Sequence, residues 1–301
     1  MDIKERYEFA YETISEEGLT MGQLNMQETI KCRIKGFLEF IMKNSIDEAV
    51  KEQRLKDMIR ELERIVPDIT FQYSTVALDT PYRRKKARAM HAFQVALVKE
   101  IMDPLEKPMI VDVGDSAGTH LKYLIGLYPE NKGIRCMSVN MDQKAVDRIR
   151  GKGLDAMHAR AEDLHEHNIE ADVFLCFQTL EHLMDPFKFL HALSSNTRAK
   201  YLVITVPYVR ESRVGLYHIR QSRRDNVYAE NTHIFELDPD DIKLVVKHAG
   251  WSVVKEKVYL QYPKRGILRM TKMLWRALDF EGFYGLILER DDSWSSKYAD
   301  W

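Results

Sequence analysis

MIVDVGDSAGTHL, residues 109–121, runs from a short apolar strand through a turn with glycines at Gly114 and Gly118 into the start of a helix. In a doubly wound α/β sheet such a turn lies at the carboxyl end of the first strand, where nucleotide-like ligands bind. Glycine lets the backbone approach the ligand, and the free N–H groups of the helix start face it. An ordinary βα turn has the same outline, so the assignment depends on the rest of the chain.

Downstream, strands and helices alternate. Gly133 precedes a second strand, Ile134–Asn140, and Asp142 is placed to cap a helix over Gln143–Arg150. A third strand, Asp155–Arg160, leads into Ala161–Leu164. A fourth, Ala171–Phe177, is apolar almost throughout, as a strand covered on both faces requires. Tyr201–Val206 ends at Pro207. Asp238 is placed to cap a helix over Asp240–His248 that stops at Gly250, and strands follow at Trp251–Val258 and Phe283–Leu288. This alternation predicts an α/β domain with a parallel sheet.

Three segments resemble class I S-adenosylmethionine-dependent methyltransferases. VDVGDSAG resembles their motif I, DxGxGxG. FQTLEHLMDP, residues 177–186, resembles the EHxxDP segment of the branch that includes ubiquinone-biosynthesis and many small-molecule and glycan O-methyltransferases. NTHIFELDPDDIKLVVKHAGWSVV, residues 231–254, resembles that branch's strand-entry segment. The resemblance covers residues 85–290. It implies a Rossmann-like, doubly wound, seven-stranded and mostly parallel sheet, with S-adenosylmethionine as cofactor. The cofactor residues it implies are Asp112, Gly114, Asp115, Ser116, Gly118, Asn140, Met141, Glu162, Asp163 and Gln178. Three positions depart from the branch's pattern. Ser116 replaces the middle glycine, Asn140 stands where a carboxylate normally meets the ribose, and Arg160 stands where an Asp normally meets the adenine. An amide can accept one bond and donate another, and Glu162 or Asp163 could take the adenine contact.

Glu181 and His182 fall at the carboxyl end of the fourth strand, and three readings are open. The pair could shape the loop before the next helix. His182, with His233 as second candidate, could be the general base, since an unperturbed imidazole titrates near neutrality. The segment also resembles the ExxEH…H arrangement of small-RNA 2′-O-methyltransferases, in which Glu181, His182 and His233 would hold a metal; Gln178 replaces the first Glu, which removes an anionic ligand. The expectation is no resident metal. Between Val206 and Asp238 a long segment holds Arg210, Arg213, Arg220, Arg223 and Arg224 with Tyr208, Tyr217, His218 and Tyr228. Interleaved Arg and Tyr suit an acceptor with an anionic group and a ring.

Before residue 70, apolar positions at three- and four-residue spacing predict two or three amphipathic helices, including Thr29–Met42 and Ile46–Ile65, which cover the sheet domain or dimerise. Another helix starts at Tyr82 with a basic block, Arg83, Arg84, Lys85, Lys86 and Arg88. That block reads as a solvated face or as a site for an anionic substrate group. In KRGILRMTKMLWRALDF, residues 264–280, Arg265, Arg269, Lys272 and Arg276 lie on one side and Ile267, Met270, Leu274 and Leu278 on another. The pattern fits a packed helix or one resting on an anionic membrane. Over all 301 residues, 45 Lys+Arg against 46 Asp+Glu argue against a generic polyanion binder, so nucleic acid is not the expected partner. Cys32, Cys136 and Cys176 lack metal-ligand spacing and fit reduced thiols of a cytoplasmic protein. No leader or membrane span is evident. The organisation expected is a helical extension over 1–81, a methyltransferase-like domain over 82–290 and a polar tail over 291–301. The expected reaction is methyl transfer to a hydroxyl of a small-molecule or carbohydrate acceptor, which a lipid could carry. The alternatives are a non-catalytic scaffold and a metal-assisted RNA 2′-O-methyltransferase.

Overall fold

In the computed structural model, which describes residues 21–73, 77–215, 232–278 and 280–298, a seven-stranded sheet has the order β3-β2-β1-β4-β5-β9-β8. The strands are β1 (Met109–Val113), β2 (Arg135–Asn140), β3 (Asp155–His158), β4 (Val173–Phe177), β5 (Tyr201–Pro207), β8 (Trp251–Leu260) and β9 (Gly282–Arg290). β3 to β5 are parallel, while β9 inserts antiparallel between β5 and β8. A two-stranded ribbon, β6 (Arg213–Val214) with β7 (Phe235–Glu236), stands apart. Strand order reverses between β1 and β4, which opens a crevice at their carboxyl ends. The expected sheet is therefore present.

Pleating sends alternate residues to opposite faces. Ile110, Val173, Leu175 and Val203 face one core, shared with α1 (Met21–Glu52), α2 (Lys56–Ile65), α3 (Pro81–Met102) and α4 (Thr119–Leu127). Val111, Phe174, Cys176 and Ile204 face the other, covered by α6 (Pro186–Asn196) and α7 (Pro239–His248). α5 (Gln143–Arg150) flanks β3. Asp142, Asp185 and Asp238 each cap the helix that follows with a side-chain oxygen.

The N-terminal helices cover the sheet domain. Met42, Ile46, Val50, Ile59 and Leu62 are buried in the same core as the β-sheet. α1 runs unbroken through residues 43–45 to Glu52, and Ser45 is buried against Thr271 and Gln261. The chain turns at Arg54, φ 59°. The basic block of α3 is largely paired within the protein. Arg83 pairs with Asp79, Lys85 pairs with Asp47 at 2.8 Å, and Arg84 donates to Leu78 and Asp79 carbonyls. Arg88 is buried and donates to the carbonyls of Val66 and Pro67 and to Tyr123. These charges clamp the extension to the domain.

Residues 264–280 also differ from the sequence pattern. Ile267–Thr271 is a 3-10 turn that leads into α8 (Lys272–Leu278); Thr271 and Trp275 are buried, whereas Ile267, Met270 and Met273 face outward. The change of helical pitch rotates the apolar positions, and the largest side chain, Trp275, takes the core. No described helix is long and apolar enough to cross a membrane. Residues 1–20, most of the Arg/Tyr segment and residues 299–301 lie outside the described residues.

Candidate active site

The turn after β1 is built around Asp115. Its Oδ1 accepts the backbone N–H groups of Ala117 at 3.0 Å and Gly118 at 2.8 Å, and its Oδ2 accepts the Ser138 hydroxyl at 2.7 Å. Arg148 donates to the Ser116 carbonyl and Lys152 to that of Ala117, so α5 and the turn that follows it grip this loop from outside. Gly114 and Gly118 have φ of 87° and 70°, a region that glycine enters at no steric cost. A Cβ at Gly114 would lie 2.2 Å from Thr179 Oγ1, so this glycine first serves the close approach of the β4 loop. Gly114→Ala should cost about 2 kcal/mol or more, from left-handed backbone strain plus the clash. Urea midpoints measured with and without Thr179→Ala would check this, because removing the threonine should restore part of the loss.

Beneath the turn lies a buried polar seam. Burial, followed by the neighbouring Asp115 charge, pushes the Asp112 carboxyl up to about 6. Asp112 Oδ2 has no hydrogen-bond partner; His120 Nδ1 stands 3.5 Å away. His120 Nε2 meets Gln94 Oε1 at 2.9 Å, Gln94 donates to Thr205 Oγ1 at 2.9 Å, and Gln178 reaches the same hydroxyl at 3.3 Å. Gln94, His120 and Thr205 were not legible as site residues. Their only sequence signal is polarity within otherwise apolar helices and strands.

Several expected cofactor groups have structural duties. Asn140 donates to the Asp115 carbonyl at 2.9 Å and accepts from the Asp142 N–H at 2.8 Å, so both ends of its amide join the two loops. A carboxylate could not make the donated bond. Met141 is exposed beside it at the crevice rim. Arg160 lies between the acids near it, 3.6 Å from Glu162 and 3.8 Å from Asp163. Glu162 also accepts the Met184 N–H, tying the β3 loop to the entry of α6. Gln178 has φ 52°, a left-handed conformation that costs energy for a non-glycine residue. Its amide turns toward Thr205.

Across the crevice, Glu181, His182 and His233 come together, with three ligand-capable atoms within 4.8 Å of one another. The Ile234 N–H donates to the Glu181 carbonyl at 2.7 Å, joining the β4 loop to the β7 segment. His182 Nδ1 lies 2.9 Å from the Thr232 carbonyl. A carbonyl only accepts, so Nδ1 carries the proton, and Nε2 is the basic nitrogen of the neutral ring. His233 Nδ1 is held at 2.7 Å by Glu236, which fixes the same tautomer. Burial would raise the Glu236 carboxyl, but bonds and charge from His233 and Arg213 hold it below its ordinary value. The imidazoles stand perpendicular, centroids 4.7 Å apart, and Phe280 stacks on His233. Glu181 is buried with both carboxylate oxygens unpartnered, and burial pushes its carboxyl up to about 8. Arg210 and Arg213 pair through Nε with Glu281 and Glu236. Arg220, Arg223 and Arg224, with Tyr217, His218 and Tyr228, lie outside the described residues.

Residues 111–199 match the family model described as a methyltransferase domain. No curated protein sequence matches the chain significantly. Among solved structures, the [4+2]-cyclase SpnF is 13% identical with a TM-score of 0.51, over 81% of this chain and 97% of its own. A Galdieria sulphuraria protein assigned as a sarcosine dimethylglycine methyltransferase is 11% identical with a TM-score of 0.51, over 78% and 99%. At such identities the likeness concerns the fold alone. The cyclase among these neighbours shows that the fold does not by itself fix the reaction. With the segment matched over residues 111–199 and the sheet order, the chain has the class I S-adenosylmethionine-dependent methyltransferase fold that the three resembling segments implied.

Proposed function

We propose that this chain binds S-adenosylmethionine at the Gly114–Gly118 turn and methylates a hydroxyl of a small-molecule or carbohydrate acceptor held over His182 and His233. The observation that carries the proposal is the pair of imidazoles with Nδ1 fixed by Thr232 and Glu236, on the far side of the crevice from the motif turn. The orphaned Oδ2 of Asp112, at the end of β1, fits the cationic amino-acid end of that cofactor. When bound, the cofactor supplies a methyl group on a sulfonium sulfur. Asp112 and the Gly114–Gly118 turn would hold it, and the methyl would pass to the acceptor oxygen with the sulfur keeping the bonding electron pair. The hydroxyl proton passes to Nε2 of His182, with His233 as second candidate. Holding the acceptor in line contributes most of the acceleration, and proton removal adds to it.

A second reading is favoured by Glu181. An unpartnered buried carboxylate beside two imidazoles is a donor set that suits a first-row divalent ion better than magnesium. Glu181, His182 and His233 would hold the ion, with Thr232 and Glu236 orienting the rings. Its chemistry there would be to acidify an acceptor hydroxyl.

Calorimetric titration with S-adenosylhomocysteine tests the first reading. Binding near the micromolar range, about −8 kcal/mol, is expected. A folded protein that shows neither heat nor thermal stabilisation would make this a binding scaffold on a methyltransferase fold.

A further inference from the structure

We propose that the surface formed by residues 264–276 docks on an anionic lipid bilayer. Ile267, Met270 and Met273 recur every third residue through the 3-10 turn and into α8, where side chains three apart stack in a row. They are 85%, 69% and 65% exposed. Large apolar side chains that face water in a row mark a contact surface. The row is not a frayed end. On its inner side Thr271 bonds Ser45 at 2.7 Å, Trp275 Nε1 donates to Ser45 at 3.2 Å, and Trp275 is fully buried against Tyr82. The segment is bolted to α1, and its apolar side chains are presented outward.

The charges around the row identify the partner. No acidic residue occurs from Lys257 to Leu278. Among the described residues no carboxylate pairs with the side chains of Lys264, Arg265, Arg269 or Lys272. Apolar side chains that insert, bordered by cations at headgroup level, match an anionic membrane surface. A second copy of this chain fits poorly, because a two-fold contact through the row would bring the same uncompensated cations against one another. The surface is also joined to the candidate site. Arg276 and Arg210 share Glu281, and Phe280, just past α8, stacks on His233. Docking therefore brings the acceptor side of the crevice toward the bilayer. The docking itself does not rest on the methyl-transfer reading; only a lipid-borne acceptor would.

Sedimentation of the full chain, without cofactor, with phosphatidylcholine vesicles and with vesicles containing phosphatidylserine tests the proposal. Binding to the phosphatidylserine vesicles is expected, released by salt and about tenfold or more weaker on neutral vesicles. The triple variant Ile267→Ser, Met270→Ser, Met273→Ser should lower the partition coefficient more than about a hundredfold with an unchanged melting temperature. Arg265→Gln with Arg269→Gln should remove most of the preference for the anionic lipid. Equal binding to both vesicles, no binding to either, or reversible self-association abolished by the triple variant would each overturn the proposal. S-adenosylhomocysteine binding by calorimetry is a separate readout, so a failure of the lipid surface and a failure of the cofactor site are distinguishable.

Discussion

Glu181→Gln is expected to stabilise the folded protein at neutral and alkaline pH. Gln has nearly the same shape and loses only the ionisable proton. In the unfolded chain this carboxyl loses its proton near its ordinary value, whereas in the fold burial keeps it protonated up to about 8. Between those values the folded state holds one more proton than the unfolded state, so wild-type stability falls as pH rises, opposite to the usual salt-bridged carboxylate. The variant lacks this slope. The two proteins should melt together near pH 4, and by pH 8 the variant should lead by about 4 kcal/mol, roughly 6 °C. Melting curves across that range check it, and parallel curves would mean that Glu181 is not desolvated as described. Adding manganese or zinc separates the two readings of the site. A bound cation would offset the cost of the ionised carboxylate and stabilise the wild type near pH 8 but not the variant, whereas a metal-free acid–base site would show no such difference.

Much of the architecture was legible because it follows from local physics. Unbroken apolar runs gave β4 and β5, Asp142 and Asp238 announced their helices, and Gly114 and Gly118 marked the turn. The candidate site was legible where a residue type is tied to a turn or a loop end, as with Asp115, Glu181, His182 and His233, which the structure places at those turns. It was not legible where function depends on a neighbour distant in sequence. Asn140 looked like a weakened ribose ligand, yet its amide is the one group that can both donate to the Asp115 carbonyl and accept from Asp142. Arg160 looked like a lost adenine contact, yet it is flanked by the two acids proposed to replace that contact. Gln94 and Thr205 are 111 residues apart, and no local pattern predicts their bond. The basic block of α3 was invisible as a clamp because its partners, Asp47 and the carbonyls of Val66 and Pro67, lie on the extension.

Asp115→Ala is expected to lose the cofactor site and much of the stability together. The carboxylate is 5% exposed and accepts three bonds, two from the N–H groups of Ala117 and Gly118 and one from Ser138. Alanine leaves all three donors without an acceptor in a buried turn, at a cost of about 3 kcal/mol. Without that anchor the Gly114–Gly118 loop no longer holds one conformation, and S-adenosylhomocysteine affinity should fall by about a hundredfold or more, near 3 kcal/mol. Asp115→Asn separates folding from binding. Its remaining carbonyl oxygen can still accept both backbone N–H groups, and its NH2 can donate to the Ser138 hydroxyl, which reverses its role. Stability should recover to within about 1 kcal/mol of wild type, and affinity should follow. If Asp115→Ala bound S-adenosylhomocysteine as tightly as the wild type, the turn would not be the cofactor site. If Asp115→Asn recovered stability but not affinity, the negative charge itself, and not the shape it imposes on the turn, would be what the ligand requires.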